Sequence, residues 1–456
     1  MNTTTNTTTT NPLAEESVGK LLFRLAIPTV IAQVVNLLYN MVDRIFIGHI
    51  PEEGDLAITG LGLCFSILML VSAFASLIGA GGAPRAAIAM GKGDKATAEK
   101  ILGNCALALL IVGVVLSVAL EIFAEPLLLM FGASQVTLPY ALSYLRIYLA
   151  GSIFVLIALG LNPFITTQGY TKVAMKTVLI GAISNIILDP LFIYGFKMGV
   201  SGAALATIIS QAISCVWVLK FLLGQKTLLK IRREHLRIEP KILLPVLALG
   251  VSPFIMTATE SLINITFNVS LQKYGGDLAV GAMTILASIM SLQFMPVQGL
   301  AQGAQPIISY NYGAKNMERV KQAYKLLMIV CFVYTFLFWA FVMVWPGGIV
   351  SIFNKSPELL GITKWALRIY LATSGFFGIQ VAVQQTFVAL GQAKQSLFIA
   401  CLRKIILLIP LILILPMLVE DKVFGVFLAE PVADLISVIV AASLFAGSIH
   451  KILSKE

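Results

Sequence analysis

Charge is scarce in this chain of 456 residues: Asp, Glu, Lys and Arg together make up 12% of it, about half the share of a typical soluble domain. The chain is also 58% hydrophobic with a mean hydropathy of +0.92. It cannot cover a water-facing surface, so a soluble globular fold is excluded and the main solvent is lipid. Cysteine is sparse too. Cys64, Cys105, Cys215, Cys331 and Cys401 are scattered through apolar runs without CxxC or other ligand spacing, so they read as small hydrophobes. Histidine occurs three times, as His49, His235 and His450, in separate loops or ends. No metal site and no nucleophile–His–acid set follows, which argues against an enzyme. Alternating apolar and polar residues are missing as well, so membrane barrel strands are not indicated. The opening "MNTTTNTTTTNPLAEE" lacks a basic region followed by a short apolar stretch and a cleavage site, so it is not a signal peptide. Its polar, low-complexity composition predicts disorder through residue 16.

What the chain does have is long apolar runs. A membrane helix needs ~20 apolar residues. Twelve such runs occur, at about 17–45, 55–82, 98–121, 138–161, 168–195, 200–224, 240–271, 278–303, 320–345, 362–388, 395–417 and 424–448. The fold class is therefore an all-α integral membrane protein with twelve transmembrane helices. A net charge of +10 might suggest nucleic acid, but the position of the charge argues otherwise. The basic stretches "KTLLKIRREHLRIEPK", "GKGDKATAEK" and "GAKNMERVKQAYK" all fall on one side of the membrane if the spans alternate. That is the positive-inside bias. It places both termini in the cytoplasm, in a plasma membrane, with lipid and not nucleic acid as the partner.

The hexapeptide "LRIYLA" occurs at 145–150 and again at 367–372, 222 residues later. The same offset relates Pro84 and Gly91 to Pro306 and Gly313, Phe131 and Ser134 to Phe353 and Ser356, and Gly169 and Lys172 to Gly391 and Lys394. With slips of three and one residues it also relates Pro28 to Pro253 and Gly202 to Gly425. A register shared by so many landmarks marks an internal repeat. Each half holds six spans and enters the membrane in the same direction, so the expected architecture is two six-helix lobes related by a pseudo-twofold axis along the membrane normal. The chain divides into a cytoplasmic tail at 1–16, a first lobe at 17–224, a cytoplasmic connector at 225–239, a second lobe at 240–448 and a cytoplasmic tail at 449–456. Lobes of this kind rock around a midplane site in transporters.

Where the halves disagree, function is expected. A charge inside lipid costs at least ~2.5 kcal/mol, so intramembrane acids are functional candidates. Asn36, Asn40 and Asp43 share one face of the first span, with Tyr39 one turn before Asp43. Asn185 and Asp189 lie four apart late in the fifth span, and Pro190 after them should free nearby carbonyls. Thr207 in the sixth span adds a hydroxyl. The repeat sets Asn268 against Asp43, and Leu407 and Leu411 against Asn185 and Asp189. The polar constellation therefore belongs to the first half alone. Two carboxylates held close cannot both stay charged cheaply. Such a pair either holds a proton or binds Na⁺ through its oxygens, and the residues do not choose between the two. In the competing structural reading Asp43 snorkels out to pair with Arg44, and Asp189 caps a helix end.

Several motifs together carry a family resemblance: "LAIP…NMVDRIFIG", "GAGGAPRAAIAMGKGD", "NIILDPLFIYG", "GVSGAALAT", "GAQPIISYNYGAKN" and "GVFLAEPVADL". In this order, over residues 17–448, the chain resembles the MATE (multidrug and toxic compound extrusion) transporters, and its first-half acids resemble the prokaryotic DinF-like branch. The resemblance implies export of small organic cations or amphipathic compounds in exchange for H⁺ or Na⁺, with no cofactor, by what is expected to be a monomer. It matches Asp43, Asn185, Asp189 and Thr207 to the first-lobe cation site, with any Na⁺ at Asp43, Asn185 and Asp189, and sets Tyr39, Tyr144 and Asn162 around it.

The second half carries other acids. Glu260, Asn264 and Asn268 form a polar stripe on the seventh span, and Glu430 and Asp434 lie four apart on the twelfth. The Glu260 position resembles an acid used in other branches, which place a further acid in the tenth span. Here that span offers Gln380, Gln384 and Gln385, so a complete second cation site is in doubt. Glu260, Asn264, Asn268, Gln384 and Glu430 remain candidates, against a reading in which Glu260 is a hydrogen-bonded packing residue. A flippase of a lipid-linked substrate is the main alternative. It would need interior cations for a diphosphate headgroup, and the sequence is read as having no interior Arg or Lys cluster. A passive channel is the other.

Overall fold

The computed structural model describes residues 12–51, 54–353 and 356–454. Among these, every long element is helical and none is a strand. The membrane-length helices are α1 (Val18–Gly48), α2 (Gly54–Gly91), α3 (Lys95–Met130), α4 (Leu138–Ala150 and Ser152–Thr167), α5 (Thr171–Gly195) and α6 (Gly199–Leu223) in the first half. The second half begins with a single helical stretch, Pro240–Gly313, that turns at Gly276. Its two arms are α7 (240–275) and α8 (277–313). They are followed by α9 (Met317–Val344), α10 (Pro357–Tyr370 and Ser374–Ala389), α11 (Ala393–Leu418) and α12 (Lys422–Ser454). Twelve spans result, as expected from the apolar runs.

Several details depart from simple rods. The α7–α8 reversal needs almost no loop, because Gly276 adopts φ 65° and ψ −162°, a conformation that residues with a Cβ avoid. Helices α4 and α10, related by the repeat, bend by 57° at Gly151 and 47° after Tyr370. The expected disorder through residue 16 does not hold for its last part. Pro12–Glu15 form a helical turn. Its Leu13 side chain is buried, and the Leu13 carbonyl accepts from Asn311 Nδ2 at 3.0 Å and from the Arg319 guanidinium at 3.2 Å. The turn stays ordered because these donors satisfy its backbone. Residues 1–11 lie outside the described ones.

On the connector side the two halves meet through glycines. A Cβ on Gly91 would stand 2.0 Å from the Tyr310 carbonyl oxygen, and one on Gly313 would stand 2.0 Å from the Ile88 carbonyl oxygen. Further in, a Cβ on Gly81 would meet the Val246 carbonyl at 2.2 Å, and one on Gly250 the Leu77 carbonyl at 1.7 Å. Backbones therefore touch where α2 crosses α7 and α8. The cores interlock at this end as well. Leu21, Leu22 and Leu25 of α1 are buried among α8, α9, α10 and α12 residues such as Val297, Leu327, Phe387 and Phe445. Val246 of α7 is buried among first-half residues. The start of each half thus packs into the other half's core, and the packing boundary does not coincide with residue 224.

Candidate functional site

The first-half acids come together. Asp43, near the end of α1, and Asp189, near the end of α5, are both buried, at 8% and 0% exposed, and their carboxyl groups lie within hydrogen-bonding reach of each other. Asn185 Nδ2 donates to Asp189 Oδ1 at 3.2 Å and to Thr207 Oγ1 at 3.4 Å. The Thr207 hydroxyl also lies beside Tyr144. Tyr39 stands beside both acids. The chain is placed this way locally because Pro190 removes an amide donor just after Asp189. The helix then widens over Leu191–Gly195, closing with Phe196 N donating to the Leu191 carbonyl at 2.8 Å. Such widened turns recur at functional sites.

Both competing structural readings fail on geometry. Arg44 forms no ion pair with Asp43 among the described residues; its guanidinium sits 5.6 Å from the Phe65 ring centroid. Asp189 accepts from the Asn185 side chain and, among the described residues, caps no backbone N–H. What remains is a set of buried oxygens without a partner: Asp43 Oδ1, Asn185 Oδ1 and Asp189 Oδ2. A buried oxygen left unsatisfied is costly. Carboxylate and amide oxygens in one place form the donor set of a hard cation, and a proton shared by the two carboxyls would satisfy the same need. The residues present therefore fit either coupling ion.

Next to this pair is a small cavity of about 50 Å³, lined by the polar residues Asn36, Tyr39, Asn162, Asn185 and Gln211 together with apolar ones such as Leu159. The Asn162 amide donates to the Ala174 carbonyl at 3.3 Å and leaves its own oxygen unpaired. Asn40 is exposed and donates to the Asn36 carbonyl at 2.7 Å. Sequence reasoning missed Tyr148, which stacks on Tyr144 with centroids 6.3 Å apart. It also missed Tyr194, whose hydroxyl donates to the Phe46 carbonyl at 2.6 Å and ties α5 to the end of α1. The aromatic pair was readable as an i, i+4 spacing; the second contact spans 148 residues.

The second half overturns one expectation. It does hold an interior cation cluster. Arg403 and Lys404, in a widened turn over Leu402–Leu408 inside α11, are both buried. Arg403 Nη2 donates to Glu430 at 2.9 Å and its Nε to Asp434 at 2.7 Å, and its guanidinium lies 4.8 Å from the Phe377 ring centroid. Lys404 donates to Glu260. Buried cations persist when carboxylates meet them, and here the acids come from α7 and α12, far away in sequence. Glu260 is accordingly hydrogen-bonded, yet 48% of its side chain stays accessible. Asn264 is half-buried and Asn268 exposed, and neither joins the network. Gln384 is tied into the core by its bond to Ser252 Oγ at 3.1 Å.

Comparison with known proteins identifies the family and the fold. The MatE family model matches residues 28–191 and 253–414, well over half of the chain and one segment in each half. The chain belongs to the MATE family. Among curated MATE relatives, multidrug export protein MepA of Staphylococcus haemolyticus is 24% identical over 432 residues, 94% of each chain. MepA of Staphylococcus aureus is 23% identical over 430 residues, 93% of each chain. Among solved structures, a MATE in the bent conformation superposes with a TM-score of 0.90 at 24% identity, covering 96% of this chain and 97% of that one. The outward-facing conformation of a multidrug resistance MATE transporter of the MOP superfamily gives 0.90 at 24% identity, covering 97% and 98%. The protein is thus a multi-pass membrane transporter of a multidrug efflux family, with the two-lobe MATE fold and no enzyme among these relatives.

Proposed function

We propose that this MATE protein is an antiporter that exports small organic cations and amphipathic compounds across the plasma membrane, driven by inward movement of H⁺ or Na⁺. The observation that carries this reading is the Asp43–Asp189 pair, buried in one lobe only and left with three unpartnered oxygens counting Asn185. In alternating access, a cation taken up there removes the repulsion between the two carboxyls. The first lobe then repacks around Asn185, Thr207 and Tyr144 and holds the exported compound less tightly. Coupling of this kind is reciprocal, so the compound weakens cation binding by the same factor. Both termini face the cytoplasm in this reading, the transporter works as a monomer, and its source is prokaryotic.

The rival readings fare less well. The Arg403 and Lys404 cations are matched by Glu260, Glu430 and Asp434, so a diphosphate headgroup would meet more acid than base. A passive channel conflicts with the glycine contacts that close the connector side. The test is efflux of a fluorescent cationic dye from proteoliposomes under a pH gradient or a Na⁺ gradient imposed separately. Dye efflux driven by one gradient and lost in Asp189→Asn supports antiport and names the ion. Undiminished gradient-driven efflux in Asp189→Asn overturns the site, and flux without any gradient dependence overturns antiport.

A further inference from the structure

We propose that the end of the second lobe farthest from the connector carries a binding site for the headgroup of an anionic phospholipid, formed by Lys364 and Arg368 with Trp345 and Trp365. The site is the groove between the end of α9 and the first arm of α10, a concavity of about 490 Å³ lined by Trp345, Gly347, Lys364, Trp365 and Arg368 among others. Lys364 and Arg368 are four residues apart and therefore share a helix face. Both are exposed, and neither has a carboxylate partner among the described residues. Gly347 leaves the path open: a Cβ there would stand 3.0 Å from Lys364 Cε.

The repeat supplies the decisive contrast. Arg368 belongs to the second "LRIYLA", and its counterpart Arg146 is paired with Glu121 at 3.2 Å. The position matching Glu121 is Met343, and the one matching a second acid, Glu125, is Gly347. Lys364 stands where the first half has Leu142, and Trp345 and Trp365 where it has Phe123 and Ser143. At this end the first lobe balances its arginine with Glu121. The second lobe has discarded both acids, added a lysine and two indoles, and opened a groove. Indoles favour the headgroup level of a bilayer. A guanidinium offers a phosphate two parallel donors, and an ammonium adds a second charge. The surplus of two positive charges selects a lipid with net negative charge over a zwitterionic one. Nothing in this site depends on the coupling ion or the exported compound.

The test is native mass spectrometry of delipidated, detergent-solubilised protein titrated separately with phosphatidylglycerol, phosphatidylcholine and glycerol phosphate. The wild type should bind one phosphatidylglycerol about tenfold more tightly than either other probe, the size expected of roughly one added charge contact at a membrane surface. Lys364→Gln/Arg368→Gln should lose that preference, and Arg146→Gln should keep it. Both substitutions are at exposed positions, so folding is not at stake. Equal binding of the two lipids, or a preference unchanged in the double variant, would overturn the proposal. Glycerol phosphate binding as tightly as the lipid would make this a free-anion site and overturn the lipid assignment.

Discussion

Gly91 and Gly313 make the same contact on each other's helix. Each approaches the backbone of the other's preceding turn so closely that a Cβ would lie 2.0 Å from a carbonyl oxygen, of Tyr310 in one case and Ile88 in the other. The two glycines are 222 residues apart, and so are the two carbonyls. A contact in which i meets j and j meets i is what a twofold relation produces, here within one chain. Gly91→Ala or Gly313→Ala should therefore force α2 and α8 apart, at about 1–3 kcal/mol in the closed state as for overpacking elsewhere. The double variant should lose less than the sum, because one added methyl already separates the helices for both. Thermal midpoints of the two single variants and the double would check this, and strict additivity would refute the shared crossing.

At the candidate ion site, the predicted division of labour is between charge and positioning. Asn185→Ala removes one unpartnered oxygen and the bonds to Asp189 and Thr207, but leaves both carboxyls. It should weaken coupling-ion affinity about tenfold, the worth of one charge-assisted contact, while dye export persists at higher ion concentration. Thr207→Ala should do less, since Tyr144 and Asn185 can still reach each other's surroundings. Export measured against ion concentration reads both. Loss of export at every concentration in Asn185→Ala would show that this residue holds the fold of the site and not the ion.

How far the sequence reached follows from what each element costs in lipid. An acid in an apolar run is expensive, so Asp43 and Asp189 were conspicuous, and the repeat showed that Leu411 answers Asp189. Arg403 and Lys404 are equally expensive, yet "CLRKIILLIP" reads as an apolar run without a cation cluster, because the acids that neutralise them lie far away in sequence. The same offset would have set them against Gly181 and Ala182, a substitution of two cations for two small residues. The bends in α4 and α10 also went unread, since a bent span and a straight one have the same composition. The packing of the starts of α1 and α7 into the opposite half's core was beyond reach for a different reason. Which core a leucine such as Leu22 enters depends on contacts hundreds of residues away.

The Arg403 network makes a stability prediction with a sign that depends on how many partners are removed. Arg403→Leu leaves Glu430 and Asp434 buried without their shared cation. Removing one member of a buried pair costs about 3–5 kcal/mol, whereas replacing all members by apolar side chains is often neutral. The single variant should melt well below wild type, and Arg403→Leu/Glu430→Leu/Asp434→Leu should recover most of the loss. A triple variant no more stable than the single one would show that the network is needed for more than charge balance.

The connector offers a prediction that needs no transport assay. Gln168 is buried at the end of the second arm of α4, and its Oε1 accepts from Thr227 Oγ1 at 2.8 Å, Leu228 N at 2.8 Å and Leu229 N at 2.9 Å. Glu99 takes Lys230 N at 3.2 Å and Arg232 Nε at 2.6 Å, and Asn104 Oδ1 takes Glu239 N at 2.7 Å. The connector is thus fastened along the first lobe from Thr227 to Glu239, where it joins α7. The Glu99 carboxylate beside Arg232 also raises that guanidinium above its usual range. Gln168→Leu deletes three acceptor bonds at once, each worth about 1 kcal/mol, and leaves buried amides unsatisfied. The segment should then open locally, exposing Lys226, Lys230, Arg232 and Arg233 to trypsin while the helices stay protected by detergent. Limited proteolysis should cut the variant into two halves at least tenfold faster than wild type, by the ratio that a loss of about 1.4 kcal/mol or more implies. Equal cleavage rates would mean that Glu99 and Asn104 alone hold the connector down.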